Sequence, residues 1–93
     1  MMTSFFAEFV HTDKNVTCSD TGLMDFSTGQ ECYGAVNYAK TFNSNARYRW
    51  ELYGDMYPKG CFISESGNMY FNRYTGSVRS SFSGISVCWK GNT

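Results

Sequence analysis

Four side chains in this sequence can do covalent chemistry with one another: Cys18, Cys32, Cys61 and Cys88. No two of them form a CxxC pair and His11 is the only histidine, so a zinc site lacks its ligand pattern, whereas two disulfides use every sulfur. Paired thiols in a chain this short point to an oxidising compartment, either secreted and extracellular or an organelle lumen such as that of the thylakoid. Four cysteines allow three connectivities, and sequence alone does not select among them. The pairing we expect is Cys32 with Cys61 and Cys18 with Cys88, each worth on the order of 3 to 4 kcal/mol by loop closure.

Other reactive groups are sparse. A nucleophile and base arrangement would need His11, which stands beside Thr12 and Asp13 with no glycine-framed serine nearby. Glu51 and Asp55 are acids that flank a strand and a turn, where carboxylates are normally solvated. Phosphate loops, EF-hand loops and metal-ligand clusters are missing from the sequence, so no catalytic residue, no metal and no cofactor is expected. Asn15-Val16-Thr17 is a glycosylation sequon just before Cys18, which makes Asn15 the candidate modification site.

Elements must hold the cysteines in place, and their signals are local. Thr28 and Glu31 have the spacing of a capping box, and Cys32, Ala35, Val36, Ala39 and Phe42 follow at helical intervals, so one helix begins at Thr28 with Cys32 on its buried face. Tyr57 to Gly60 is a turn set by Pro58 and relieved by Gly60. Cys61 to Ile63 and Met69 to Phe71, around the polar Glu65 to Asn68, make a hairpin in which one face can be buried. Tyr48, Trp50 and Leu52 alternate with Arg47, Arg49 and Glu51 as a half-buried strand. Ile85, Val87 and Trp89 alternate with Ser86, Cys88 and Lys90 as a last strand, with Cys88 facing away from Val87.

The expected fold is therefore α+β: a small disulfide-stapled domain, one helix packed on a short antiparallel sheet. With 93 residues the chain is one unit of modest core, divided into an N-terminal apolar arm at 1–13 and the stapled module at 14–93. Periodicity leaves the arm open as an outer strand or a short helix, and its Phe5, Phe6 and Phe9 call for a hydrophobic surface, which a partner can provide. The stretch Phe5 to Val10 is too short for a membrane span or a signal core. An oxidising location would then mean that a leader was removed or that the sequence is part of a longer one. Net charge is zero, with eight basic and eight acidic residues, which argues against nucleic acid as a partner.

These residues carry a resemblance. Gln30-Glu31-Cys32 with Ala35, then Tyr57-Pro58-Lys59-Gly60-Cys61-Phe62, then Tyr70-Phe71-Asn72 and Val87-Cys88, together with Cys18, resemble a short cysteine-stapled module of predicted extracellular and organellar-lumenal proteins of microalgae, dinoflagellates among them. The Phe-rich arm and the Ser/Arg segment before Cys88 lie outside that pattern. A looser likeness is to apple-type domains, in which disulfides tie a helix to an antiparallel sheet. The resemblance implies an architecture and an oxidising compartment, and no reaction.

The function expected is that of a non-catalytic structural or interaction protein, a peripheral subunit of a larger assembly, with Phe5, Phe6, Phe9, Trp50 and Tyr57 as the partner-binding residues. The alternative is an extracellular module that binds a carbohydrate or a protein, with Tyr48, Trp50, Tyr53, Tyr57, Tyr70, Tyr74 and Trp89 as the candidate rings of its platform. Most of the aromatics are expected to pack the core instead.

Overall fold

The computed structural model describes residues 9–79 and 84–90. The expected α+β class is what it shows, with helices on one side of a six-stranded, mostly antiparallel sheet and two disulfides. The central hairpin pairs β4 (Gly60–Ser64) with β5 (Asn68–Asn72), placing Cys61 opposite Phe71 and Ile63 opposite Met69. Gly60 and Gly67 supply its positive φ angles, +74° and +98°. Gly67 has a second constraint, because a Cβ there would fall 2.4 Å from the Asn45 carbonyl oxygen.

On the other side of β4 lies β6 (Gly84–Trp89), antiparallel, with Cys61 opposite Val87. β1 (Phe9–His11) pairs with the outer edge of β6, and β2 (Met24–Asp25) continues the line of β4 beyond Gly60. Residues 9–11 are thus an outer strand of the sheet, one of the two forms open for this part of the arm. Phe9 is spent inside the domain, its ring 5.2 Å from that of Trp89 and 5.7 Å from those of Phe26 and Tyr38. The ring is partly buried, packed against the core of its own domain. Phe5 and Phe6 lie outside the described residues.

Two further expectations change. The helix is broken into α1 (Gly29–Gly34) and α2 (Val36–Ala39), with Ala35 between them at φ −92°, ψ 4°. Gly34 explains the break, since a glycine inside a helix is disfavoured by roughly 1 kcal/mol against alanine. The apolar stripe survives it: Cys32, Ala35 and Ala39 are all fully buried. The capping box is formed, Thr28 Oγ1 accepting from the Glu31 N–H at 3.2 Å while Glu31 Oε1 accepts from the Thr28 N–H at 3.2 Å.

The second change concerns β3 (Arg47–Leu52), which runs parallel to β5 instead of antiparallel. β5 is inserted between β3 and β4, so residues 53–59 must cross the end of β5 to bring the chain back. The pairing also slips between Tyr48 and Trp50, which leaves Arg49 as the extra residue of a bulge. Tyr48 stays opposite Met69, on the helix side, but Trp50 is moved opposite Tyr70, on the other side. Strict alternation had put Tyr48 and Trp50 on one face.

Both disulfides form as expected, with Cα–Cα distances of 5.8 Å for Cys18–Cys88 and 5.3 Å for Cys32–Cys61. Cys61 shares a face with its opposite residue Val87, so Cys88, one position on, points through the sheet. One bridge ties the helices to the sheet, and the other ties the Cys18 loop to the far side. The helix side buries Ile63, Met69, Phe71 and Val87. Phe62, on the far side, is equally buried at 0% exposure, so this hairpin is covered on both faces.

Candidate functional site

The far side of the sheet carries a row of aromatic rings across three strands and a loop. Trp50 on β3 meets Tyr70 on β5 at 5.5 Å between centroids, Tyr70 meets Phe62 on β4 at 5.5 Å, and Phe62 is stacked by Tyr57 at 5.9 Å and 11°. The middle of the row is sealed and its ends are open: Trp50 is 49% exposed and Tyr57 37%. The bulge at Arg49 makes this arrangement, because it turns Trp50 toward Tyr70. Arg49 then lies over the indole, its guanidinium carbon 5.1 Å from the ring centroid. Beside the row, Tyr53 is exposed, packed against Tyr74 at 5.3 Å with Arg73 over it at 5.5 Å.

Trp50 and Tyr57, both read from the sequence as partner-binding, are thus brought to one face. Tyr70, one of the rings offered by the sequence for a binding face, is their link, whereas Arg49 as a cover was not among the residues expected there. A bulge leaves no mark in a pattern of alternating residues, so the sequence holds no signal for the arginine cover. Trp89 and Tyr48 are half-buried and pack against the core on the helix side.

Chemistry-bearing groups are mostly engaged. His11 Nδ1 is 2.7 Å from the Tyr38 hydroxyl and its ring stacks on Phe42 at 3.9 Å. Burial pushes the imidazole pKa down, with Asp13 pulling it partly back. Glu51 is paired with Arg73 at 3.3 Å and Asp55 with Arg79 at 3.0 Å. Asn15 is exposed, at φ +64°, in the turn that precedes the Cys18 loop. Among the described residues, no group of three or more His, Cys, Asp or Glu is placed to hold a metal ion. Among the same residues, no helix is long and apolar enough to cross a membrane.

Two adjoining grooves, of about 450 and 260 Å³, lie where β2 meets the start of β4, and Asp25 and Lys59 line both. Neither residue was singled out from the sequence. Comparison with family models, with curated proteins and with solved structures finds no match.

Proposed function

We propose that the protein is a non-catalytic interaction domain, a peripheral subunit that docks onto a larger protein assembly through its helix-free sheet face. The observation that carries the reading is the aromatic row, closed at Phe62 and open at Trp50 and Tyr57. Exposed Trp and Tyr held by a rigid neighbour, with an arginine alongside, are the composition of protein-interface anchors. A protein partner is favoured over a glycan because Arg49 already lies over the Trp50 ring, which a stacking sugar would have to displace. Two disulfides are consistent with an oxidising compartment. Within that class we place the protein outside the cell or in an organelle lumen, in line with its resemblance to stapled microalgal modules, and with Asn15 accessible to glycosylation there.

The test is assembly. The chain from its source should migrate in native gels within a complex, and the Trp50→Ala/Tyr57→Ala double variant should be left out of it while keeping a native near-UV spectrum. Migration as a monomer, or incorporation of the double variant at the wild-type level, rejects the reading. Hits on a glycan array that the double variant loses would install the carbohydrate alternative in its place.

A further inference from the structure

Asp25 is a half-buried carboxylate with no hydrogen-bond donor among the described residues. It lies flat on the backbone of Gly60, where an added Cβ would be 3.1 Å from both the Asp25 Cβ and its Oδ1. Lys59 is near enough to attract it but makes no ion pair with it. The other charges of the larger groove are matched, since Glu51 and Arg73 hold each other. Asn72 is also consumed, by the backbone of residues 54–58 and of Tyr74. What remains is one negative and one positive group, held apart, at the saddle between two grooves, the larger of which is also lined by Phe26 and Phe71.

We propose that this saddle binds a small zwitterion of the α-amino-acid type, its ammonium received by Asp25 and its carboxylate by Lys59. Charge decides the class. A simple cation would neutralise Asp25 but be repelled by Lys59, and a simple anion would do the reverse. A neutral polyol forms an ion pair with neither, and only a ligand with both ends pairs with both residues. An apolar side chain on that ligand has the Phe26 and Phe71 rings to cover it, and about 450 Å³ is room enough for one. Burial pushes the Asp25 pKa up, with Lys59 pulling it partly back, the direction expected of a partly desolvated carboxylate that has gained no donor among the described residues. Such a group lowers stability when unliganded, which is the pattern of a binding residue rather than a structural one.

The experiment is a titration of the isotopically labelled, disulfide-intact protein by two-dimensional NMR, with leucine as the probe and N-acetyl-leucine, leucinamide and glucose as controls. Leucine should shift the amides of Gly60 and Thr75 with a roughly millimolar Kd, an affinity suited to an open groove with few contacts. The two blocked leucines should bind at least about tenfold more weakly, and Asp25→Asn and Lys59→Met should each raise the leucine Kd by about tenfold or more. Asp25→Asn removes an undersolvated charge and so should stay folded, which keeps its result interpretable. No shift with leucine up to about 50 mM, equal binding by Asp25→Asn, or equal binding of glucose or a blocked leucine would overturn the proposal.

Discussion

Asn72 closes β5 by reaching under Pro58, its Nδ2 donating to the Pro58 carbonyl at 3.1 Å within the protein interior. The same nitrogen also donates to the carbonyls of Gly54 at 2.8 Å and Tyr57 at 3.1 Å. Its Oδ1 accepts from the N–H groups of Gly54 and Tyr74, both at 3.2 Å. One side chain therefore bonds the Gly54 N–H and three carbonyls of the crossing segment 53–59, while the Arg79 backbone N–H donates to the Asp55 carbonyl. Asn72→Asp should be the most damaging isosteric change in the domain, since it aims an oxygen at three carbonyls. A loss of about 3 kcal/mol or more is expected, against about 2 kcal/mol for Asn72→Ala. Urea unfolding of the two variants checks the order, and an Asp variant as stable as wild type would refute the role.

The aromatic row separates a structural ring from its exposed neighbours. Phe62 is fully buried while Trp50 is half open, although the two are joined through Tyr70. Phe62→Ala should cost about 3 to 5 kcal/mol, the usual range for a phenylalanine removed from a core. Trp50→Ala should cost roughly 1 kcal/mol or less, mostly the edge contact with Tyr70. Denaturation midpoints for both variants decide this. Equal losses would mean that Trp50 is needed for the fold and is not kept for a partner.

The parts of the fold legible in the sequence were those written in neighbouring residues. Thr28 and Glu31 announced the helix start, and Pro58 with Gly60 and Gly67 marked the hairpin, because capping and positive φ depend on residues a few positions apart. The cysteine pairing was one of three connectivities that the sequence left open, and the structure has the expected one. The parallel placement of β3 was not legible, since Arg47 to Leu52 carries the same alternation whichever direction its neighbour runs. The bulge at Arg49 then inverted the face of Trp50, and the sequence could name that residue as a binding candidate without showing which rings it joins. The form of residues 9–11 was open for a related reason. Three residues of strand have too little pattern to distinguish an arm on a partner from an edge on its own sheet. Asp25 was missed because an acid in a short extended piece looks solvated until Gly60 is found against it.

Acid should loosen the β1 edge through His11. Its ring is packed on Phe42 and bonded to Tyr38, and burial holds its pKa below the unfolded value of about 6.5. Between the two values the unfolded chain binds more protons, so stability rises with pH. The His11 contribution is complete above about pH 6.5 and is lost as pH falls toward the folded pKa. Asp25 acts with the opposite sign, since its raised pKa favours the folded state below about pH 3.9 and disfavours it as pH rises through the folded value. Subtracting the stability of His11→Gln from that of wild type, by urea unfolding from pH 7.5 down to 5, isolates the histidine. A difference that does not shrink toward the acid end would show that the imidazole is not buried in this way.

Removing the disulfides one at a time should distinguish chain closure from local packing. Cys18–Cys88 spans 70 residues and Cys32–Cys61 spans 29, which correspond to about 4.4 and about 3.6 kcal/mol in the loop-entropy model. Together they rival the whole stability of a domain of this size, so full reduction should unfold it. Singly, the Cys18→Ala/Cys88→Ala variant should be the weaker if closure dominates, because the longer loop is released. The Cys32→Ala/Cys61→Ala variant loses less by that measure but leaves a gap under α1, where both sulfurs are fully buried beside Met69 and Phe71. Urea midpoints and slopes of the two variants resolve the competition. A larger loss for the shorter bridge would place the stabilisation in the helix–sheet contact, and a reduced protein with unchanged thermal unfolding would remove the staples from the account of the fold.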